Sequence, residues 1–138
     1  MASNGLKETL AAMERVKLAA KEAAMNRLIK GANDVADVQR RLAPKDTGAL
    51  AESVAVTLPG HTTPPYSQPG GSRVAGENQV LVTAGDEDVR YAHLVEHGTS
   101  KMEAQPFFFT AYRLLRDNVK RGTASAFSRT AKKEWNRR

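Results

Sequence analysis

The chain has 138 residues, 41% hydrophobic and 26% charged, which predicts one domain with a modest core. It contains no cysteine, and that excludes disulfides, thiolate metal sites and cysteine nucleophiles. No stretch approaches the roughly 20 apolar residues that span a bilayer, and the opening MASNGLKETL lacks the basic-then-apolar layout of a signal peptide, so synthesis and folding in a cytosol are expected.

The net charge of +6 is unevenly spread. Residues 1–45 carry 9 basic and 5 acidic groups, residues 46–112 carry 3 and 8, and residues 113–138 carry 9 and 2. An acidic middle and a basic end suit either nucleic-acid binding or head-to-tail stacking of copies, acidic face on basic face.

Residues 6–42 predict a helix. Leu6, Leu10, Met13, Val16, Ala20, Ala24, Leu28, Val35, Val38 and Leu42 recur at steps of three, four or seven and form one apolar stripe. Gly31 is the expected place for a bend, since glycine costs about 1 kcal/mol inside a helix. Pro44 ends the element, because the residue before a proline is pushed out of the helical region. In the following Asp46-Thr47-Gly48-Ala-Leu50, either Asp46 or Thr47 can cap a short helical turn carrying Leu50.

Residues 53–58 (SVAVTL) predict a half-buried strand with Val54, Val56 and Leu58 inward, and residues 79–84 (QVLVTA) a second. Between them lies a segment, 59–78, that holds four of the six prolines and four of the ten glycines. Such a loop is either a mobile hairpin tip or an arm that orders against a neighbour, with Tyr66 and Arg73 as side chains of the kind that anchor interfaces.

Residues 91–97 allow at most two helical turns, with Tyr91, Leu94 and Val95 inward. Pro106 suits the first position of a final helix, whose buried stripe would be Phe108, Tyr112, Leu115 and Val119. Phe127, Ala131 and Trp135 continue at four-residue spacing past Gly122, where the helix is expected to resume. The last section, 120–138, is a basic amphipathic extension; Lys132, Lys133 and Trp135 are its candidate partner contacts.

His93-x-x-Glu96-His97 matches the ligand spacing of inverted zinc peptidases. A catalytic zinc site needs a third protein ligand, and Gly98 directly after His97 denies the long rigid helix such a site uses. In the structural alternative Glu96 accepts hydrogen bonds from nearby backbone or an arginine, and Gly98 ends the turn in a left-handed conformation. Phosphate-loop, dinucleotide and nucleophile-elbow motifs are absent from the sequence, so no catalytic, cofactor or metal role is expected.

The order of motifs resembles the small tail-component proteins of tailed phages and prophages typified by gene product 10 of phage HK97. The residues that carry the resemblance are Pro44-Lys-Asp46-Thr47-Gly48-Ala-Leu50-Ala-Glu-Ser53, Val80-Leu-Val-Thr-Ala-Gly85, Tyr91-Ala92-x-x-Val95-Glu96-x-Gly98-Thr99 and Ala104-Gln-Pro106-Phe107-Phe108. It spans roughly residues 6–120. With it the expected fold is α+β, a long N-terminal helix, a small antiparallel sheet and a C-terminal helix packed on the sheet, the long Pro/Gly-rich loop between the strands and the basic tail being particular to this chain.

In function it implies a virion structural protein of the neck, a head–tail connector or tail-completion protein without catalysis, assembled in the host cytoplasm. The expected partners are copies of itself in a ring (a hexamer or a dodecamer), neighbouring neck, tail-terminator or tail-tube proteins, and genomic DNA passing without sequence readout. Asp46, Thr47, Gly48, Leu50, Tyr91, Glu96, Gly98, Thr99, Pro106 and Phe107 then carry over as fold and assembly residues. The alternative is a nucleic-acid-binding module that uses the basic C-terminal helix, with Trp135 available for stacking.

Overall fold

A computed structural model of the chain describes residues 2–45 and 47–137. The order is α1 (Ala2–Leu42), α2 (Ala49–Glu52), β1 (Ala55–Thr57), β2 (Leu81–Thr83), α3 (Ala92–His97) and α4 (Phe108–Asn136). β1 and β2 pair antiparallel, with Ala55 opposite Thr83, Val56 opposite Val82 and Thr57 opposite Leu81. The architecture is α+β: a long N-terminal helix, a two-stranded sheet and a C-terminal helix. α1 runs through Gly31 and α4 through Gly122 without interruption, so neither glycine breaks its helix. The described residues divide into two compact units, residues 1–28 with 118–138 and residues 29–117.

The second unit holds the core. Ala36 of α1, Ala43 just past its end, Leu50, Val54, Ala84, Val89, Ala92, Val95, Phe107 and Phe108 form one buried cluster. Phe107, Phe108 and Phe109 meet edge to face, with successive ring centroids 6.3 and 5.1 Å apart, which favours the pairs beyond the area they bury. Phe108 opens α4 within the cluster that contains Val54 and Ala84, the residues that flank the two strands.

Polar bonds fix these pieces to one another. Gln39 donates from Nε2 to the Phe108 carbonyl (3.1 Å), and Arg40 donates from Nη2 to the Val54 carbonyl (2.9 Å). The buried Ser53 hydroxyl donates to the Leu50 carbonyl (2.6 Å) and accepts the Gly85 N–H (2.9 Å). Gly85 itself has φ 96°, and a Cβ there would lie 2.8 Å from the Val89 carbonyl. Only glycine combines that φ with that approach.

Two strand expectations differ in detail. Leu58, expected inward, is exposed just past the end of β1, and the buried residue there is its neighbour Thr57. The segment 59–78 is ordered by its own bonds. The buried Thr63 hydroxyl accepts the Arg73 N–H (2.8 Å) and donates to the Gly71 carbonyl, while Ser72 donates to the Thr63 carbonyl. Thr62 bridges to Val74, and Gln68 exchanges both backbone bonds with Ala84 beyond the end of β2.

In the first unit the α1 and α4 segments run antiparallel. Arg15 reaches Glu134, and Arg27 donates to the Asn118 carboxamide oxygen at 3.2 Å. The helices meet closely at Gly122, where a Cβ would fall 2.6 Å from the Arg27 guanidinium. Ala20 is fully buried, but Leu6, Leu10 and Met13 are 61%, 55% and 55% exposed. The apolar stripe of α1 is therefore real, and its first turns are uncovered.

Ser53→Ala leaves the Gly85 N–H without a partner in a buried site, and a loss of about 1–3 kcal/mol is expected. A lowered urea midpoint with faster amide exchange at Gly85 checks this; unchanged exchange there would show that Ser53 does not hold the end of β2.

Candidate functional site

The sequence motifs converge on the stretch that leads from α3 into α4. α3 has six residues, and its buried side is Ala92, Val95 and Glu96. Tyr91 and Leu94, expected inward, are 42% and 41% exposed; with so short a helix, one narrow face suffices to meet the core.

Glu96 is a carboxylate at 7% exposure, and its two oxygens explain why it is buried. Oε2 accepts the Phe108 N–H at 2.9 Å, and Oε1 accepts the Phe109 N–H at 3.2 Å. These are among the first N–H groups of α4, which have no partner inside their own helix. A negative group there also meets the positive end of the helix dipole. The residue just ahead of α4 is Phe107, at 1% exposure, whose side chain packs in the core and has no oxygen to offer. The cap therefore arrives from another segment. Pro106, expected at the first helical position, lies two residues before the helix, so Phe107 can turn inward.

The connection is drawn tight by Gly98 and Thr99. Gly98 has φ 77°, and a Cβ on it would sit 2.8 Å from the Ala104 nitrogen. Its N–H donates to the Leu94 carbonyl at 2.7 Å. Thr99 and Met102 exchange backbone bonds (2.9 and 3.3 Å), Thr99 Oγ1 accepts the Lys101 N–H, and the Gln105 N–H returns to the Val95 carbonyl at 2.8 Å. Residues 98–105 thus form a closed turn that brings Phe108 back to Glu96.

The other motif lies beside it. Thr47 Oγ1 accepts the Ala49 N–H (3.3 Å), Gly48 adopts φ 80°, and Leu50 is buried; Asp46 lies outside the described residues. Thr47, Gly48 and Leu50 share with Tyr91, Val95, Met102 and Gln105 the wall of a hollow of about 90 Å³. Two sequence motifs about 40 residues apart are in this way brought together.

His93 and His97 are exposed. They line, with Glu96 and the three phenylalanines, a small hollow of about 60 Å³, and the His97 ring stands 6.4 Å from Phe109. The carboxylate that a zinc peptidase would use as its base is held here by two backbone N–H groups. Among the described residues no group of three or more His, Asp or Glu side chains is arranged to hold a metal ion.

The candidate contact residues fall on other segments, Tyr66 and Arg73 in 59–78 and Lys132, Lys133 and Trp135 on α4. Tyr66, at φ 62°, places its ring under the Arg90 guanidinium, 3.8 Å from the centroid, a partner that the sequence reading missed. Arg73 is exposed beside Gly70. Lys132 and Lys133 are exposed on α4 in the first unit, where Trp135 is 38% exposed.

Removing the Glu96 carboxylate should matter more than its place in a short helix suggests. Glu96→Ala is expected to cost about 1–3 kcal/mol, as for a lost cap with buried donors left unpaired, and Glu96→Gln less, since one oxygen remains. Amide exchange at Phe108 and Phe109, with the urea midpoint, reads the effect; wild-type protection in Glu96→Ala would refute the cap.

Neither the curated proteins nor the solved structures compared with this chain gave a match. No helix among the described residues is long and apolar enough to cross a membrane. A family model described as "Bacteriophage HK97-gp10, putative tail-component" matches residues 6–98, from the first turns of α1 through Gly98. The chain belongs to the HK97-gp10-like family of phage tail components.

Proposed function

We propose that the chain is a structural protein of the head–tail junction, forming a ring that joins the head connector to the tail tube around the DNA channel. The family match carries this reading, because it covers the Thr47–Leu50 turn, α3 and the Glu96 carboxylate that caps α4. In this role the Thr47–Leu50 turn, Tyr91, Glu96, Gly98, Thr99 and Phe107 serve the fold, and no step of catalysis is assigned to them. The proposed neighbours are other neck, tail-terminator or tail-tube proteins, and DNA that passes without sequence readout.

The distribution of charge supports an assembly part. Residues of the first unit include 12 basic and 4 acidic groups, net +8, and those of the second 9 basic and 11 acidic, net −2. Such polarity steers association and fixes the order of partners. The exposed tip of residues 59–78, with Arg73 and Val74, is the proposed arm toward a neighbour.

Direct nucleic-acid binding is the second reading, favoured by the +8 of the first unit. It predicts salt-dependent affinity for duplex DNA. Lys132→Glu/Lys133→Glu tests it better than a truncation, because α4 in this region pairs with α1.

Deleting the gene from the phage or prophage that encodes it should leave filled heads and free tails, seen by electron microscopy. Normal infectious particles in the deletion would end the head–tail reading.

A further inference from the structure

The first unit carries a surface that its own residues leave uncovered. Ala24 and Leu28 of α1, with Val119, Thr123 and Phe127 of α4, line an open apolar trough of about 540 Å³. Leu10, Met13, Lys17 and Lys21 precede Ala24 and Leu28 at steps of three and four, which places them on the same stripe of α1. Lys17 and Lys21 are exposed, as is Lys120, which lines the trough. The trough therefore has an apolar floor and a cationic rim.

Charge narrows what can cover it. A second helical pair of the same kind would bring net +8 against net +8, and like-charge contacts of that sort are strongly disfavoured. The second unit offers the opposite character. Its Asp86-Glu87-Asp88 turn precedes α3, and Tyr91 and Leu94 stand exposed on the same short stretch. The Asp86 carboxylate is used inside the turn, where it accepts the Asp88 and Val89 N–H groups, and Arg90 is engaged over the Tyr66 ring. Glu87 and Asp88 are left facing solvent.

We infer that the trough on the first unit of one copy receives the acidic turn and α3 of the second unit of the next. Tyr91 and Leu94 enter the apolar floor, and Glu87 and Asp88 meet Lys17, Lys21 and Lys120. The contact joins two different surfaces, so it runs head to tail, and it closes into a ring where the rotation allows. It rests on the ring reading above and supplies the lateral contact which that reading needs.

Sedimentation velocity on the full chain tests it with two sets of reversals, Glu87→Lys/Asp88→Lys and Lys17→Glu/Lys21→Glu/Lys120→Glu. The wild type should self-associate less as salt rises, since charges at a contact rim are screened beyond about 8 Å at physiological ionic strength. Each set alone should weaken association at least tenfold. Both sets in one chain, or an equimolar mixture of the two variants, should restore it, with circular dichroism showing wild-type helix throughout.

Association unchanged in either single set, or no recovery in the combined chain, overturns the contact. A wild type that stays monomeric at every concentration also overturns it, while separate heads and tails in the gene deletion would leave the junction reading standing. If the lysine reversals abolish duplex-DNA binding and leave self-association intact, the trough belongs to DNA and the inference fails.

Discussion

α4 spans 29 residues and starts where a phenylalanine, not a capping residue, precedes it. Its first N–H groups would stand unpaired at the edge of the core, at a cost of about 1–3 kcal/mol for each one buried without a partner. The Glu96 carboxylate meets two of them and is itself removed from water by doing so. Each group makes the other's burial tolerable. From this pairing follow the inward turn of Phe107, the edge-to-face phenylalanines and the narrow turn at 98–105, where Gly98 leaves no room for a Cβ.

The same pairing explains why a metal-ligand spacing occurs in a structural protein. One turn of helix separates His93 from His97, and Glu96 lies on the side that faces the core. The histidines are placed by the helical repeat, and the glutamate is placed by its partners on α4. A spacing rule sees three residue types at the right intervals and has no access to what already occupies the carboxylate.

Much of the architecture was legible because it rests on local signals. The helical periodicity of α1 and the stop at Pro44 are short-range effects of side-chain pattern and backbone sterics. The backbone as a partner for Glu96 was also legible in kind, although the particular N–H groups, 12 and 13 residues onward, depend on how the intervening turn closes. Leu58 was misplaced, one residue past the end of β1. The Pro/Gly content of residues 59–78 hid their order, since Thr63 binds main-chain groups across the loop and composition carries no trace of that. Periodicity showed that α1 has an apolar face, but nothing in it says which turns stay uncovered.

The Glu96 contact has an asymmetry with consequences for how such chains diverge. Its acceptor is a side chain and must be an acid of the right length; its donors are main-chain N–H groups, which every residue except proline supplies. Substitution at Glu96 is thus restricted, whereas positions 108 and 109 answer to core packing and, for the cap, only to the exclusion of proline. The family model ends at Gly98, between the two halves of the contact. The bond that seats α4 thus reads only the main chain at its donor end, and the identity of the residues there is left to the core in which Phe107 and Phe108 are buried.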